Sequence, residues 1–191
     1  KYRKLLLDIT SNKRLRSKDA LSDFRYKTIC YFSDKHPESF DLYGFGWNQN
    51  IIKVLLRRFR PTGLYSKFLK NYKGQIKNKK EICANYKFLI CYENTIFDSY
   101  ISNKIFDAFN SKIVPIYMGC ENIEEFIPSN CFINRKDFLN DEELYDFINS
   151  MNEKTWLSYL NAASDFYESP KSDKFSDIHF SSEIINKLIK K

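Results

Sequence analysis

The sequence predicts an α/β domain in which a parallel sheet is covered by helices on both sides. Three observations carry that prediction. Apolar stretches of strand length alternate with stretches of helical periodicity along the chain, the pattern of consecutive β-α-β units. The stretch YKFLICYE, residues 86–93, is apolar on both faces, as a strand must be when helices pack on either side of it. With 191 residues, 43% of them hydrophobic, the chain is long enough to bury one large core, and a single domain over residues 1–191 is expected.

KLLLDIT reads as the first strand. In SKDALSDFRYKTICYF, Leu21, Phe24, Ile29 and Phe32 recur at near-helical spacing, and FDLYGFGWN follows as a short strand running into a glycine turn. Gly44 and Gly46 either let backbone approach closely at that strand exit or simply close a tight turn. NIIKVLLRRF predicts a short helix, and RPTGLYSKFLKNYKGQIKNKK, with Pro61 and two glycines, a long basic loop. Beyond the strand at 86–93, SYISNKIFDAFNS puts Ile101, Ile105 and Phe109 on one helical stripe, and KIVPIYMG is strand again. NIEEFIP predicts a short helix before Pro128, and NCFINR a last short strand. DEELYDFINSM and EKTWLSYLNAASDFYES predict two amphipathic helices, with Trp156, Tyr159, Phe166 and Tyr167 as core or interface, and SSEIINKLIKK one more helix. Nothing repeats at a fixed period, which argues against a solenoid.

Composition narrows the function classes. No apolar stretch reaches the roughly 20 residues of a membrane span, and the first ten residues lack the apolar length and cleavage site of a secretion signal. The chain is expected to be cytosolic or excised from something longer. Cys30, Cys83, Cys91, Cys120 and Cys131 are odd in number and form no C-x-x-C pair, so buried thiols in a reducing compartment are expected rather than a disulfide or zinc site. His36 and His179 match no ligand spacing, and no metal site is assigned. From Lys53 to Lys80 there are ten basic residues and no acidic one, leaving 21 basic against 24 acidic elsewhere. Such a block is a nucleic-acid footprint, an anionic-membrane patch, a funnel for phosphate ligands or a solvated face.

One polar knot stands out at the end of the strand at 86–93. Glu93 and Asn94 close the strand, a short loop follows, and Tyr100, Asn103 and Lys104 lie at the start of the next helix. In such sheets ligands bind beyond the carboxyl ends of the strands. The unpaired amides and positive dipole end of a helix start favour an anion, and Lys104 adds a full charge. The competing reading is that Asn94 and Asp98 only turn and cap the chain. A lysine in a first turn argues mildly against that unless an anion is present.

YKFLICYENTIFDSYISNKIFDAFNSKIVPIYMG resembles the sugar-donor motif of the alpha-1,3-fucosyltransferases. In that motif a strand ending in Glu-Asn leads to Tyr-Val-Thr-Glu-Lys and then to an apolar strand with Pro and Gly. ENIEEFIPSNCFINRKDF is similar to the segment that follows it, NYKGQIKNKKEICANYKF to the one before, and SNKR and DLYGFGWN to the first loops of the donor half. The likeness covers residues 4–169 and is most specific over 86–138. It implies a GT-B arrangement of two Rossmann-like halves, with this chain as the half that binds the nucleotide sugar. It implies GDP-fucose as donor, inversion at the anomeric centre and no metal or other cofactor. That agrees with the lack of any D-x-D pair.

Carried over residue by residue, the resemblance places Asn94, Tyr100 and Lys104 on donor-contacting positions, with Lys104 on the pyrophosphate. Arg14, or the nearby Arg16, falls on the donor-binding arginine, whose guanidinium grips a phosphate through two parallel hydrogen bonds. Glu93 either steadies developing positive charge at the sugar, acts as base, or has a structural or donor-positioning role. Where the family has Glu, this chain has Asn103, which exchanges a charge-assisted bond to the ribose for a neutral one, a loss of about 1 kcal/mol. The expected partners are GDP-fucose or GDP, and a glycan acceptor held by an N-terminal half that this chain lacks. The carboxylate that deprotonates the acceptor is expected in that half. A cytoplasmic or membrane-peripheral location is expected. Lys73 or Lys79 in the basic block is placed to close over the diphosphate. Two alternatives stay open: a basic non-enzymatic module for nucleic acid or anionic surfaces, and a degenerate relative that binds a nucleotide without transferring a sugar.

Overall fold

The computed structural model describes residues 3–15, 17–48 and 69–175. The expected helix at 50–59, most of the basic block, Arg16, His179 and the expected C-terminal helix lie outside the described residues. Among those described, five strands form one all-parallel sheet: β1 Lys4–Ile9, β2 Phe40–Tyr43, β3 Tyr86–Tyr92, β4 Val114–Met118 and β5 Ile133–Asn134. Their spatial order is β2-β1-β3-β4-β5, with Leu7 beside both Asp41 and Leu89, and Ile116 beside both Ile90 and Ile133.

The two-faced apolar character of β3 has a direct counterpart in the core. Phe88, Ile90 and Tyr92 point to one side, where they pack with Ile29 and Phe32 of α1 (Ser22–Lys35) and Leu144 and Ile148 of α4 (Asp141–Ser150). Leu89 and Cys91 point to the other, against Ile105, Ala108 and Phe109 of α3 (Asn103–Asn110). A short α2, Lys79–Cys83, adds Cys83 to that second layer. The last described helix, α5 (Glu153–Tyr167), joins the layers: Trp156 belongs to the core on the α1 side of the sheet and donates its indole N–H to the Lys87 carbonyl at 3.2 Å, while Ala163 and Phe166 pack on the α3 side. Asn140 and Asn152 cap α4 and α5 by accepting from the amides of Glu143 and Thr155, both at 2.9 Å.

Several boundaries differ from the sequence reading for local reasons. The first helix starts at Ser22, because Asp19, Ala20 and Leu21 are taken up by the loop after β3: the Leu21 amide donates to Asn94 O at 3.0 Å, and Ile96 N to Asp19 O at 2.9 Å. The third helix starts at Asn103 and excludes Tyr100, since Ser99 has φ of +60°, outside helical geometry. NIEEFIP yields only a 3-10 turn over Ile123–Glu125. The described part of the basic loop is not free of the sheet. Leu42 N donates to Asn71 O, Lys73 N to Leu42 O and Gly44 N to Gly74 O, at 2.8–3.0 Å, so residues 71–74 cover the exposed edge of β2. All five cysteines are thiols and four are buried. Burial pushes the Cys91 thiol up and that of Cys131 to about 11, so neither is a thiolate at neutral pH.

The exits of β1 and β2 are packed backbone on backbone. Gly44, at φ of +136°, sits so close to Thr10 that a Cβ would lie 1.8 Å from its carbonyl oxygen. Trp47 Nε1 donates to the same oxygen at 2.7 Å, and Asn12 N to Phe45 O at 2.8 Å. The close-approach reading of Gly44 therefore holds. Gly44→Ala is expected to destabilise the protein by on the order of 3 kcal/mol, read as a lower urea midpoint, because both the backbone angle and the space are denied to it.

Candidate functional site

The strand order fixes where a ligand crevice belongs. The chain leaves β1 for α1 on one face of the sheet, whereas it leaves β3, the next strand over, for α3 on the opposite face. Adjacent parallel strands whose connections diverge to opposite faces open a crevice at their carboxyl ends. The residues singled out in the sequence flank this point, with Arg14 on the β1 exit and Glu93 to Lys104 on the β3 exit.

Glu93 follows the last residue of β3 and is fully buried. A buried carboxylate is tolerable only when its oxygens are met by donors. Oε1 accepts from the Ser102 amide at 2.8 Å, and Oε2 from the Ser102 hydroxyl at 2.6 Å and the Lys104 ammonium at 2.7 Å. Ser102 also caps α3: its Oγ receives the Lys104 amide at 3.5 Å and the ammonium at 3.3 Å. Gly119, one residue beyond β4, closes the cage, since a Cβ there would lie 2.4 Å from Glu93 Cγ. Ser102 and Gly119 were not singled out from sequence. The serine carried a signal as an N-cap type just before the helix stripe.

The Lys104 side chain remains 32% exposed. Its ammonium has three N–H donors, and the two acceptors within reach are Glu93 and Ser102. Part of the expected anion seat is thus already engaged: the Ser102 amide and two ammonium donors serve Glu93 and its cap. The sealed position of Glu93 fits a positioning role, since both of its oxygens are used inside the cage.

The other candidates line the rim. Asn94 and Asn103 are exposed, Tyr100 is 38% exposed, and the Tyr100 amide closes a turn on Phe97 O at 3.3 Å. Arg14 meets Asp23 of α1 through two parallel bonds of 2.9 and 2.8 Å in a half-exposed pair. Asn103, Phe106, Asp107 and Asn110 share one face of α3 and, with Tyr167 and Asp173, line an open cavity of about 430 Å³. Of the two lysines expected to close over a diphosphate, Lys73 pairs with Asp41 of β2 at 3.5 Å, on the far side of β1 from β3. Lys79 pairs with Asp107 of α3 at 2.8 Å.

Beneath the crevice lies a polar pair that the sequence reading passed over. Asp8, the lone polar side chain inside KLLLDI, is buried on the α1 side, and its Oδ2 has no hydrogen-bond partner among the described residues. Arg25 of α1 is also buried and donates to the Tyr92 carbonyl at 3.5 Å. Burial pushes the Asp8 carboxyl up to about 7, against the opposing pull of Arg25 and, further off, of Lys104 and Lys79. The signal available from sequence was a carboxylate in an otherwise apolar strand.

The parallel sheet, its flanking helices and the crevice at the β1/β3 exits define a Rossmann-like α/β domain of the GT-B type. The fold matches the crystal structure of an alpha1,3-fucosyltransferase with GDP-fucose at a TM-score of 0.58 and 23% identity, over 83% of this chain and 38% of that one. It matches Anabaena Alr3699/HepE in complex with UDP-glucose at 0.57 and 16%, over 98% and 49%. Residues 47–184 match the family model for glycosyltransferase family 10 (fucosyltransferase), C-terminal region, and the chain belongs to that family. An alpha-(1,3)-fucosyltransferase of Helicobacter pylori is 36% identical over 96 residues, 50% of this chain and 19% of the relative. The mouse 4-galactosyl-N-acetylglucosaminide 3-alpha-L-fucosyltransferase 9 is 36% identical over 100 residues, 49% of this chain and 28% of its own length. The matched region is therefore less than a third of either relative. No helix among the described residues is long and apolar enough to cross a membrane.

Two measurements follow from this geometry. Burial makes the folded Asp8 hold its proton up to about 7, well above the ordinary carboxylate range, so its contribution to stability falls as pH rises from that range through 7 and stays at its minimum above it. Asp8→Asn is expected to be more stable than the parent above pH 7, by on the order of 2–4 kcal/mol in urea unfolding, with the gap closing towards pH 4. Glu93→Gln leaves the Lys104 ammonium without its anionic partner and is expected to lower stability by about 2–3 kcal/mol, below the usual cost of breaking a fully buried pair because the lysine is partly solvated.

Proposed function

We propose that this chain is the donor-binding half of an inverting fucosyltransferase that takes fucose from GDP-fucose and passes it to a hydroxyl of a glycan acceptor. The observation that carries the reading is Lys104 in the first turn of α3 at the β1/β3 crevice, in a chain that belongs to the fucosyltransferase family. Loss of GDP from an inverted anomeric centre leaves negative charge on a diphosphate. In this reading the charge is met by the Lys104 ammonium, by helix-start amides of α3, and by Arg14 from the β1 exit, without a divalent metal; Arg16, which lies outside the described residues, is the alternative to Arg14. Asn94 and Tyr100 on the rim contact the donor, and Asn103 takes the ribose hydroxyls through neutral hydrogen bonds.

The base that deprotonates the acceptor belongs, in this reading, to an acceptor-binding half of a longer protein. Supporting that is the sealed state of Glu93, whose oxygens both serve Ser102 and Lys104. Glu93 acts as a positioning residue that holds the lysine over the crevice.

Calorimetric titration with GDP-fucose, GDP-mannose and a UDP-sugar tests the proposal. Selective, saturable binding of the GDP compounds that is unchanged by EDTA is expected, with Lys104→Ala weakening GDP tenfold or more. Flat traces for all three nucleotide sugars, or salt-sensitive binding of polyanions that ignores Lys104→Ala, would overturn it.

A further inference from the structure

The charges around the crevice differ in how cheaply they can be released. Lys104 is held by a carboxylate with no solvent exposure, and pulling the two apart would leave a buried charge unmet. Lys79 is held by Asp107, whose side chain is 50% exposed, and the lysine itself is 31% exposed. Surface pairs of that kind contribute little, and water readily takes the place of either partner. A diphosphate brings at least two negative charges, whereas the Lys104–Glu93 unit is neutral as a whole. The anion therefore gains most from a cation whose present partner can be returned to solvent.

Lys79 stands in the right place for this. Asp107 lies three residues after Lys104 on α3, so the two share a helix face about one turn apart, and the Lys79 ammonium is 2.8 Å from the Asp107 carboxylate. Asp107 also lies four residues after Asn103, and the two line the same open cavity. Lys73, by contrast, is tied to Asp41 of β2, two strands away from β3.

We infer that Lys79 is a second cation of the diphosphate seat, exchanging the exposed carboxylate of Asp107 for a phosphate oxygen when a nucleoside diphosphate binds at the start of α3. The inference rests on the donor-site reading above and adds a residue to it. An ammonium–carboxylate contact is replaced by an ammonium–phosphate contact, so the exchange moves no proton. The Asp107 carboxylate is released to water, and the ligand gains one charge-assisted bond.

Calorimetric titration of GDP, with inorganic pyrophosphate as the probe for the phosphate part alone, separates the outcomes. Lys79→Met is expected to weaken both ligands roughly tenfold, while Lys79→Arg retains binding to within about threefold. Asp107→Asn is expected to bind both at least as tightly as the parent, because it frees the lysine beforehand. Unchanged GDP binding by Lys79→Met would overturn the inference while leaving the donor-site reading intact. Equal weakening by Lys79→Met and Asp107→Asn would overturn it too, since the pair would then merely brace α2 against α3. A parent protein that binds neither GDP nor pyrophosphate would overturn both the inference and the reading beneath it.

Discussion

A carboxylate without solvent exposure has to be surrounded by donors or given up, and Glu93 is the point around which the crevice is organised. Its oxygens draw in the Ser102 amide, the Ser102 hydroxyl and the Lys104 ammonium, and those bonds set where the loop after β3 ends and where α3 begins. Gly119 is the only residue type that fits against it from β4 without displacing it. Three consecutive features of the fold, a strand end, a helix start and the next strand's exit, are thus fixed by the desolvation of one side chain.

The same constraint shapes the electrostatics. The crevice carries one sealed pair, Glu93 with Lys104, and two half-open ones, Arg14 with Asp23 on the β1 side and Lys79 with Asp107 on α3. Sealed charges hold geometry, and exposed ones are available for exchange at little cost. Below them, Asp8 and Arg25 place a carboxyl and a guanidinium under the ends of β1 and β3, where burial rather than pairing dominates the carboxyl. An arrangement of this kind keeps its framework rigid and its outer pairs open to solvent.

Membership of the fucosyltransferase family and the departures from its motif bear on different questions. The family sets the fold and the register of the motif, so that Lys104 occupies the start of α3. Asn103 in place of the family's Glu changes the chemistry of one exposed rim position that also borders an open cavity. The framework and the rim are physically separable, because the bonds of the buried cage run among Glu93, Ser102 and Lys104, whereas Asn103 is exposed.

Strand and helix order was legible in the sequence because periodicity and two-sided burial are local properties: β3 reads as covered on both faces, and the stripe Ile105 and Phe109 reads as the inner face of α3. The place of Lys104 at a helix start was legible for the same reason, whereas the motif residues were singled out through the resemblance to the fucosyltransferase family. What only the tertiary structure decided is which charges meet. Glu93 and Lys104 are eleven residues apart, and Lys79 and Asp107 twenty-eight. The tying of Leu21 to Asn94, which delays the start of α1, likewise spans two strand exits. Pairing across such separations depends on strand order and on desolvation after packing, and neither is encoded in a local pattern of residue types.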